Sequence, residues 1–105
     1  MNRYEGTRTK TGSIVTVDGE PLELRLDLRN HSPDGFDWGY GGSAPAQLAL
    51  AILAHHLADA EEALNLYQRF KWAVIAELPK KHWILTGSEI DAVLQPIRKD
   101  QGGTV

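Results

Sequence analysis

The chain has 105 residues, 42% of them hydrophobic and 24% charged, which is enough for one domain with a modest core. Its formal net charge of −3 at pH 7 excludes a broad basic surface, from which duplex-binding proteins draw affinity by neutralising phosphates. The absence of cysteine excludes disulfides, thiolate chemistry and cysteine zinc sites.

Short strands and tight turns are predicted for the N-terminal part of the chain. Residues 3–9 are typical of an edge strand, and the β-branched run 14–17 predicts a second strand. Asp18 and Gly19 follow as the strongest hairpin signal in the sequence and suit a type I′ turn. Pro21 has no amide proton to donate, so pairing next to this turn should be limited.

Leucines and charged residues alternate strictly between Leu22 and Arg29. Leucine occupies positions 22, 24, 26 and 28, and a charged side chain occupies each position between and after them. A period of two puts the leucines on one face of a strand and the charges on the other. We therefore expect the clearest strand of the chain here, with its apolar face against helices. The charged face is either solvated or a binding face for a charged partner.

A turn-rich loop over residues 30–35 leads to a glycine-rich segment and then to an apolar helix. The three glycines of this segment are Gly39, Gly41 and Gly42. Their clustering suggests backbone conformations or close approaches that a Cβ would forbid. Ser43 suits the N-cap of the helix, and Pro45 suits its first turn. Because residues 46–57 are almost wholly apolar, this helix is predicted to be buried at the centre of the fold.

The turn before this helix has two interpretations. It either docks the helix on the sheet or presents free N–H groups to an anion such as phosphate. Its spacing matches neither the P-loop nor the dinucleotide motif. Trp38 and Tyr40 flank the glycines and either stack on a ligand or cover the core beside the turn. Gln47, one turn into the helix, reads the polar edge of a ligand or satisfies the loop backbone.

A second helix is predicted to start after Asp59, with Glu62 three residues later as in a capping box. Its apolar stripe recurs every three or four residues and consists of Ala63, Tyr67, Phe70, Val74 and Leu78. Trp72 and Ile75 lie off that stripe, so either a third element covers them or they face a partner. Pro79 is predicted to end this helix.

A short strand over residues 82–85 and a third helix are predicted next. Thr86 or Ser88 is expected to cap this helix, and Glu89 lies three residues after Thr86. Pro96 predicts an end or a kink near residue 94.

No set of residues predicts catalysis, a metal or a cofactor. The four histidines, which are His31, His55, His56 and His82, form no metal-binding motif. Asp37 is the one candidate for acid–base chemistry, because it lies between Phe36 and Trp38. Its alternative role is that of a loop carboxylate accepting backbone N–H groups. Ser43 lacks the G-x-S-x-G surroundings of a nucleophile.

The central segment resembles the signature of an uncharacterised family of small bacterial, plasmid and phage proteins. The matching pattern is Phe36-x-Trp38-Gly39-Tyr40-Gly41-Gly42-Ser43-x-Pro45-x-Gln47-Leu48-Ala49, and it extends to Tyr67-Gln68-x-Phe70-Lys71 and Trp83-x-Leu85-Thr86. Ala44 stands where the family pattern has glycine. The resemblance carries no established activity and implies an accessory protein of mobile elements.

Together these observations predict an α+β fold. We expect a small antiparallel sheet of three to four strands, mostly N-terminal, packed on one face by two to three helices. Residues 1–100 should form a single domain and residues 101–105 a flexible tail. The polar N-terminus and the lack of a long apolar run lead us to expect a cytoplasmic protein.

For function, the sequence favours a non-enzymatic binding protein that contacts another protein, one form of which is an inhibitor of a host defence enzyme. The alternative is a small phosphate-containing ligand, such as a nucleotide, at the glycine turn. Neither nucleic acid nor a membrane is expected as the partner. The residues predicted to bind the ligand or partner are Asp37, Trp38, Gly39, Tyr40, Gly41, Gly42, Ser43 and Gln47.

Overall fold

Four strands and three α-helices make up the part of the chain that the computed structural model describes, residues 2–102. In chain order the elements are β1 (Arg3–Thr9), β2 (Gly12–Val17), β3 (Glu20–Pro21), α1 (Ser43–Leu57), α2 (Ala60–Ala73), a 3₁₀ turn (Ile75–Glu77), β4 (His82–Thr86) and α3 (Gly87–Gly102). The strands form one antiparallel sheet in the order β3-β2-β1-β4. The predicted α+β fold is therefore confirmed.

The sheet is built on the hairpin of β1 and β2. Tyr4 pairs with Val17 on β2 and with Leu85 on β4, so the predicted strand near residue 82 joins the sheet beside the first strand. Asp18 and Gly19 turn the chain from β2 into β3 with φ angles of 51° and 87°. Positive φ at both residues is the requirement of a type I′ turn, as their sequence predicts.

Only one face of the sheet is buried under the helices. Tyr4, Val15 and Trp83 point into the core, whereas Ile14 and Ile84 are exposed on the other face. This alternation is typical of an antiparallel sheet that has one buried face and one face exposed to solvent.

Helix α1 is the centre of the molecule. Every residue from Pro45 to Ala54 is buried, because α2 and the sheet cover a helix that is apolar nearly all round. The predicted central helix is confirmed. None of the helices within residues 2–102 is both long and apolar enough to span a lipid bilayer.

The prediction of a strand between Leu22 and Arg29 is wrong. Pairing to β2 stops at Pro21, where the ring removes the next backbone donor. The chain then leaves the sheet. Arg25 takes a positive φ of 59°, and a turn closes as the Leu28 amide donates to the Arg25 carbonyl at 3.0 Å. The leucines do not share one buried face, since Leu22 is buried and Leu26 is exposed.

Helix α2 starts as predicted and ends early. The Asp59 side chain accepts a hydrogen bond from the Glu62 amide at 3.1 Å, as an N-cap should. The helix stops at Ala73, six residues before Pro79, and a 3₁₀ turn follows. The prediction that Pro79 ends the helix is therefore wrong. The early end turns Ile75 into the core and leaves its carbonyl free to accept from the Gly39 amide at 3.0 Å.

Helix α3 begins with a complete capping box. The Thr86 amide donates to the Glu89 carboxylate at 2.9 Å, and the Glu89 amide donates to the Thr86 hydroxyl at 3.2 Å.

The helix then continues through Pro96 to Gly102, so the predicted end near residue 94 is wrong. Beyond the proline, Ile97 packs against the core and Arg98 pairs with Glu62 at 2.9 Å. These tertiary contacts hold the last turns in place. Residues 101 and 102 belong to this helix, and the rest of the predicted tail, 103–105, lies outside the described residues.

Candidate interaction site at the start of the central helix

The glycine segment is a turn that fastens α1 to the end of α2. Gly39 has a φ of 85° and donates its amide proton to the Ile75 carbonyl. Gly42, and not Ser43, is the N-cap of α1, and no side chain caps this end. Ser43 is the first helical residue and is exposed. Its predicted capping role is wrong because the chain becomes helical one residue earlier than expected.

Trp38 belongs to the core. Its indole is fully buried, lies edge to face with Trp83 at 5.5 Å between ring centroids, and donates its N–H to the Lys80 carbonyl at 3.0 Å. The Arg8 guanidinium covers the outer side of the ring, 5.0 Å from its centroid. Two roles were considered for Trp38, and the structure supports the one in which its ring covers the core beside the turn.

Asp37 is an anchored loop carboxylate. It accepts hydrogen bonds from the Arg8 guanidinium and, at 2.9 Å, from the Trp38 amide. Burial by itself raises the pKa of this carboxyl, but the bonds from Arg8, Trp38 and the Tyr40 hydroxyl outweigh burial and hold the pKa below its usual value. A carboxylate held in its charged form by a guanidinium suits a structural link better than a proton-transfer group.

Gln47 is fully buried and holds the loop that follows β3. Its side-chain oxygen accepts from the amides of His31 and Ser32 at 2.8 and 3.0 Å. Its nitrogen donates to the carbonyls of Leu24 and Arg29 at 2.6 and 3.0 Å. These four bonds use the hydrogen-bonding capacity of the amide. Gln47 therefore satisfies the loop backbone, which is one of the two roles considered for it.

Two exposed aromatic rings lie over the glycines. A Cβ built on Gly41 would lie 2.1 Å from the Trp72 indole, and one built on Gly42 would lie 2.5 Å from the Tyr40 ring. The glycines thus let both rings approach the backbone more closely than a Cβ would allow. Trp72 is nevertheless 61% exposed and Tyr40 44% exposed.

A lysine accompanies each of these rings. Lys71 Nζ lies 4.5 Å from the centroid of Trp72, and Lys80 Nζ lies 5.4 Å from the centroid of Tyr40. Both distances are typical of cation–π contacts. Lys71 is buried, with 7% of its surface exposed, so Lys80 is the exposed cation of the two. We refer to Tyr40, Trp72, Lys71 and Lys80 together as the aromatic–lysine surface.

The sequence pointed to part of this surface. It identified Tyr40 and the glycines, and Trp72 was marked by its position off the apolar stripe of α2. Lys71, Lys80 and the Arg8 link to Asp37 were missed. Their sequence separation from the glycine turn gives no local signal for these contacts. The end of α2, the loop before β4 and the end of β1 bring them there only in the folded chain.

The other predicted chemical groups are engaged within the fold. His31 bonds the Tyr67 hydroxyl at 2.7 Å, and His55 bonds the Tyr4 hydroxyl at 2.7 Å. His56 and His82 pair with carboxylates at 2.7 and 2.6 Å. Across residues 2–102, no group of three or more histidine, aspartate or glutamate side chains is placed to hold a metal ion.

The start of α1 is a poor cradle for phosphate. Trp72 and Tyr40 cover Gly41 and Gly42 on one side. On the other side, a shallow depression is lined by Ala44 together with the carboxylates of Asp34 and Asp37. An incoming phosphate would meet negative charge there.

The fold and site define a small α+β protein with an exposed aromatic–lysine surface beside its central helix. The chain belongs to a family of unknown function, DUF6166, whose model matches residues 4–96. The prediction that the chain belongs to an uncharacterised family is therefore confirmed. No curated protein and no solved structure matches the chain.

Proposed function

We propose that this protein is a small non-enzymatic binding protein that docks on another protein through the aromatic–lysine surface. The observation that carries the proposal is the exposure of Trp72 and Tyr40 next to each other, 61% and 44%. Tryptophan and tyrosine are the residues that most often anchor protein interfaces, because each buries a large rigid surface at low entropic cost.

The chemistry of the surface favours a partner that is apolar at its centre and acidic at its rim. Both lysine ammonium groups sit over the rings, and Asp37, the carboxylate that the Tyr40 hydroxyl bonds, is already paired with Arg8. An acidic partner would therefore meet the positive charge of the exposed Lys80 beside the aromatic contact. Such complementarity speeds association and selects the partner.

The resemblance to bacterial, plasmid and phage proteins extends this proposal. We propose a cytoplasmic accessory protein of a mobile element that occludes a host enzyme, and a host defence enzyme is the form to test first. Because no catalytic set is predicted from its sequence, we expect the protein to act by covering a partner's site.

The alternative of a phosphate-containing ligand at the glycine turn has weaker support. Such a ligand would have to displace the Trp72 ring or approach the carboxylates of Asp34 and Asp37. A nucleotide that raises the unfolding temperature of wild-type protein but not of Gly41→Val protein would favour it over the protein partner.

The test is capture from a nuclease-treated host lysate with tagged wild type, Trp72→Ser and Ile14→Ser. Ile14 is the matched control because it is an equally exposed apolar residue, 55%, on the open face of the sheet. We expect a protein that is retained by wild type and Ile14→Ser, lost with Trp72→Ser, and weakened by added salt. Equal capture by all three proteins, or capture that is seen only in a parallel lysate without nuclease treatment, would contradict the proposal.

A further inference from the structure

An open cleft of about 480 Å³ separates the β2–β3 turn from the later part of α1. Its floor is apolar and consists of Val17, Pro21, Leu22 and Ala51. The volume lies in the usual range of small-molecule sites, which are mostly apolar with a few polar groups at their edges. The cleft exists because the chain leaves the sheet after Pro21 instead of continuing as a strand.

The rim of this cleft is negative. Asp18, Glu20 and Glu23 all line it. Arg25 is the cation of the rim, and Asp27 holds its guanidinium through two hydrogen bonds of 3.0 Å. Within residues 2–102, neither Glu20 nor Glu23 forms a salt bridge. Arg25 also interacts electrostatically with Glu23, but three carboxylates against one guanidinium leave the rim with an excess of negative charge.

A polar group stands where the cleft reaches α1. His55 lines the cleft and its Nδ1 is 2.7 Å from the hydroxyl of Tyr4. Tyr4 is fully buried, and burial raises the pKa of its phenol far above the usual value, so the hydroxyl keeps its proton. When the Tyr4 hydroxyl donates to Nδ1, the imidazole carries its own proton on Nε2. That Nε2–H has no hydrogen-bond partner among the described residues.

We propose that this cleft binds a small amphiphilic amine. Its ammonium group pairs with the carboxylates of Glu20 and Glu23, its apolar body lies on Val17 and Leu22, and an acceptor oxygen at its far end takes the His55 Nε2–H. The acidic rim, the apolar floor and the His55 N–H donor thus specify one ligand class. An anionic analogue of the same shape is rejected by the rim.

This site is separate from the aromatic–lysine surface. His55 lies almost four turns beyond Gly42, about 20 Å along the axis of α1. A ligand in the cleft and a protein on the aromatic–lysine surface can therefore be bound at the same time, and loss of one does not require loss of the other.

The experiment is a proton–nitrogen correlation NMR titration of the full chain with tyramine, which carries an ammonium, an aromatic body and a hydroxyl oxygen. Hydroxyphenylpropionate, which has a carboxylate in place of the ammonium, is the matched probe. We expect saturable shifts confined to the amides of residues 17–25, Pro21 excepted, and of residues 51–55 with tyramine, and none with the anionic probe.

Variants test the rim. The double variant Glu20→Gln/Glu23→Gln should weaken tyramine binding about fivefold, since each exposed charge contributes little alone. The control Glu61→Gln removes an exposed carboxylate from α2 and should leave the affinity unchanged. No saturable shift at the cleft, equal shifts with the anionic probe, or equal affinity of wild type and the double variant would overturn the proposal.

Discussion

At the scale of single residues, the loop between the sheet and the central helix depends on one buried amide. Gln47 connects four backbone groups of residues 24–32 to the first turns of α1. This loop has no strand partner after Pro21, so the side chain supplies hydrogen bonds that a sheet would otherwise provide.

Gln47→Leu should therefore destabilise the protein by about 3 kcal/mol or more, because several buried backbone groups lose their partners and each costs roughly 1–3 kcal/mol. Urea unfolding measures the change. Gln68→Leu is the matched control, since Gln68 is exposed on α2 and its replacement should change the free energy of unfolding by less than about 0.5 kcal/mol. Equal midpoints for the two variants would show that the loop is held by other contacts.

Asp37 gives the stability a pH dependence with a definite sign. Although burial alone raises its pKa, the bonds from Arg8 and Trp38 bring the folded-state pKa below the ordinary value. A carboxylate of this kind stabilises the fold above its unfolded pKa of about 3.9 and loses that contribution as the pH falls through the folded pKa.

We expect Asp37→Asn to lower the free energy of unfolding by about 1 kcal/mol at neutral pH, with the difference from wild type shrinking below about pH 4. Urea unfolding across this pH range is the measurement. Asp34→Asn, an exposed change of the same charge in the preceding loop, should have little effect. A difference for Asp37→Asn that persists in acid would argue against the ion pair as its cause.

The sequence does not predict in which direction the aromatic side chains of the site point. Whether Trp38 points inward depends on the Lys80 carbonyl and on Trp83, both more than forty positions away. Alternation and spacing are local signals and carry no information on such contacts. The glycine pattern predicted a tight turn, but not that Trp72 would lie on it.

At the scale of elements, local signals were reliable where one short stretch decides the geometry. The Thr86–Glu89 capping box and the Asp18–Gly19 turn each involve at most four consecutive residues, and both were predicted. The leucine alternation failed because a strand also needs a neighbour, and Pro21 ends the pairing.

Helix α3 shows tertiary contacts overriding a helix breaker. Pro96 has no N–H for the carbonyl four residues earlier, yet Ile97 and Arg98 keep the following turns packed. Pro96→Ala should therefore raise the free energy of unfolding by about 1 kcal/mol, part of the roughly 3 kcal/mol difference for a fully helical interior position.

Thermal and urea unfolding check this expectation, with Gln95→Ala as the control at the neighbouring exposed position. A lower free energy of unfolding for Pro96→Ala, or a gain no larger than that of Gln95→Ala, would mean that Pro96 does not destabilise the helix.

At the scale of the whole molecule, α1 is enclosed by two helices and by a sheet that has only one buried face. The two surfaces proposed for binding lie near the opposite ends of α1. The aromatic–lysine surface is at the N-terminal end, and the apolar cleft with its acidic rim is towards the C-terminal end. The general fold class follows from the order of strands and helices in the sequence. The surfaces do not, because each combines elements that are distant along the chain.

The chain has three tryptophans. Two of them report on the core and one reports on the proposed interface. Trp38 and Trp83 are buried, whereas Trp72 is exposed. Fluorine NMR of protein labelled with fluorotryptophan, recorded free and in clarified host lysate, therefore reads the proposed contact directly. We predict that the Trp72 resonance alone changes its chemical shift as the partner binds. A complex in which the Trp72 resonance keeps its free position would contradict it.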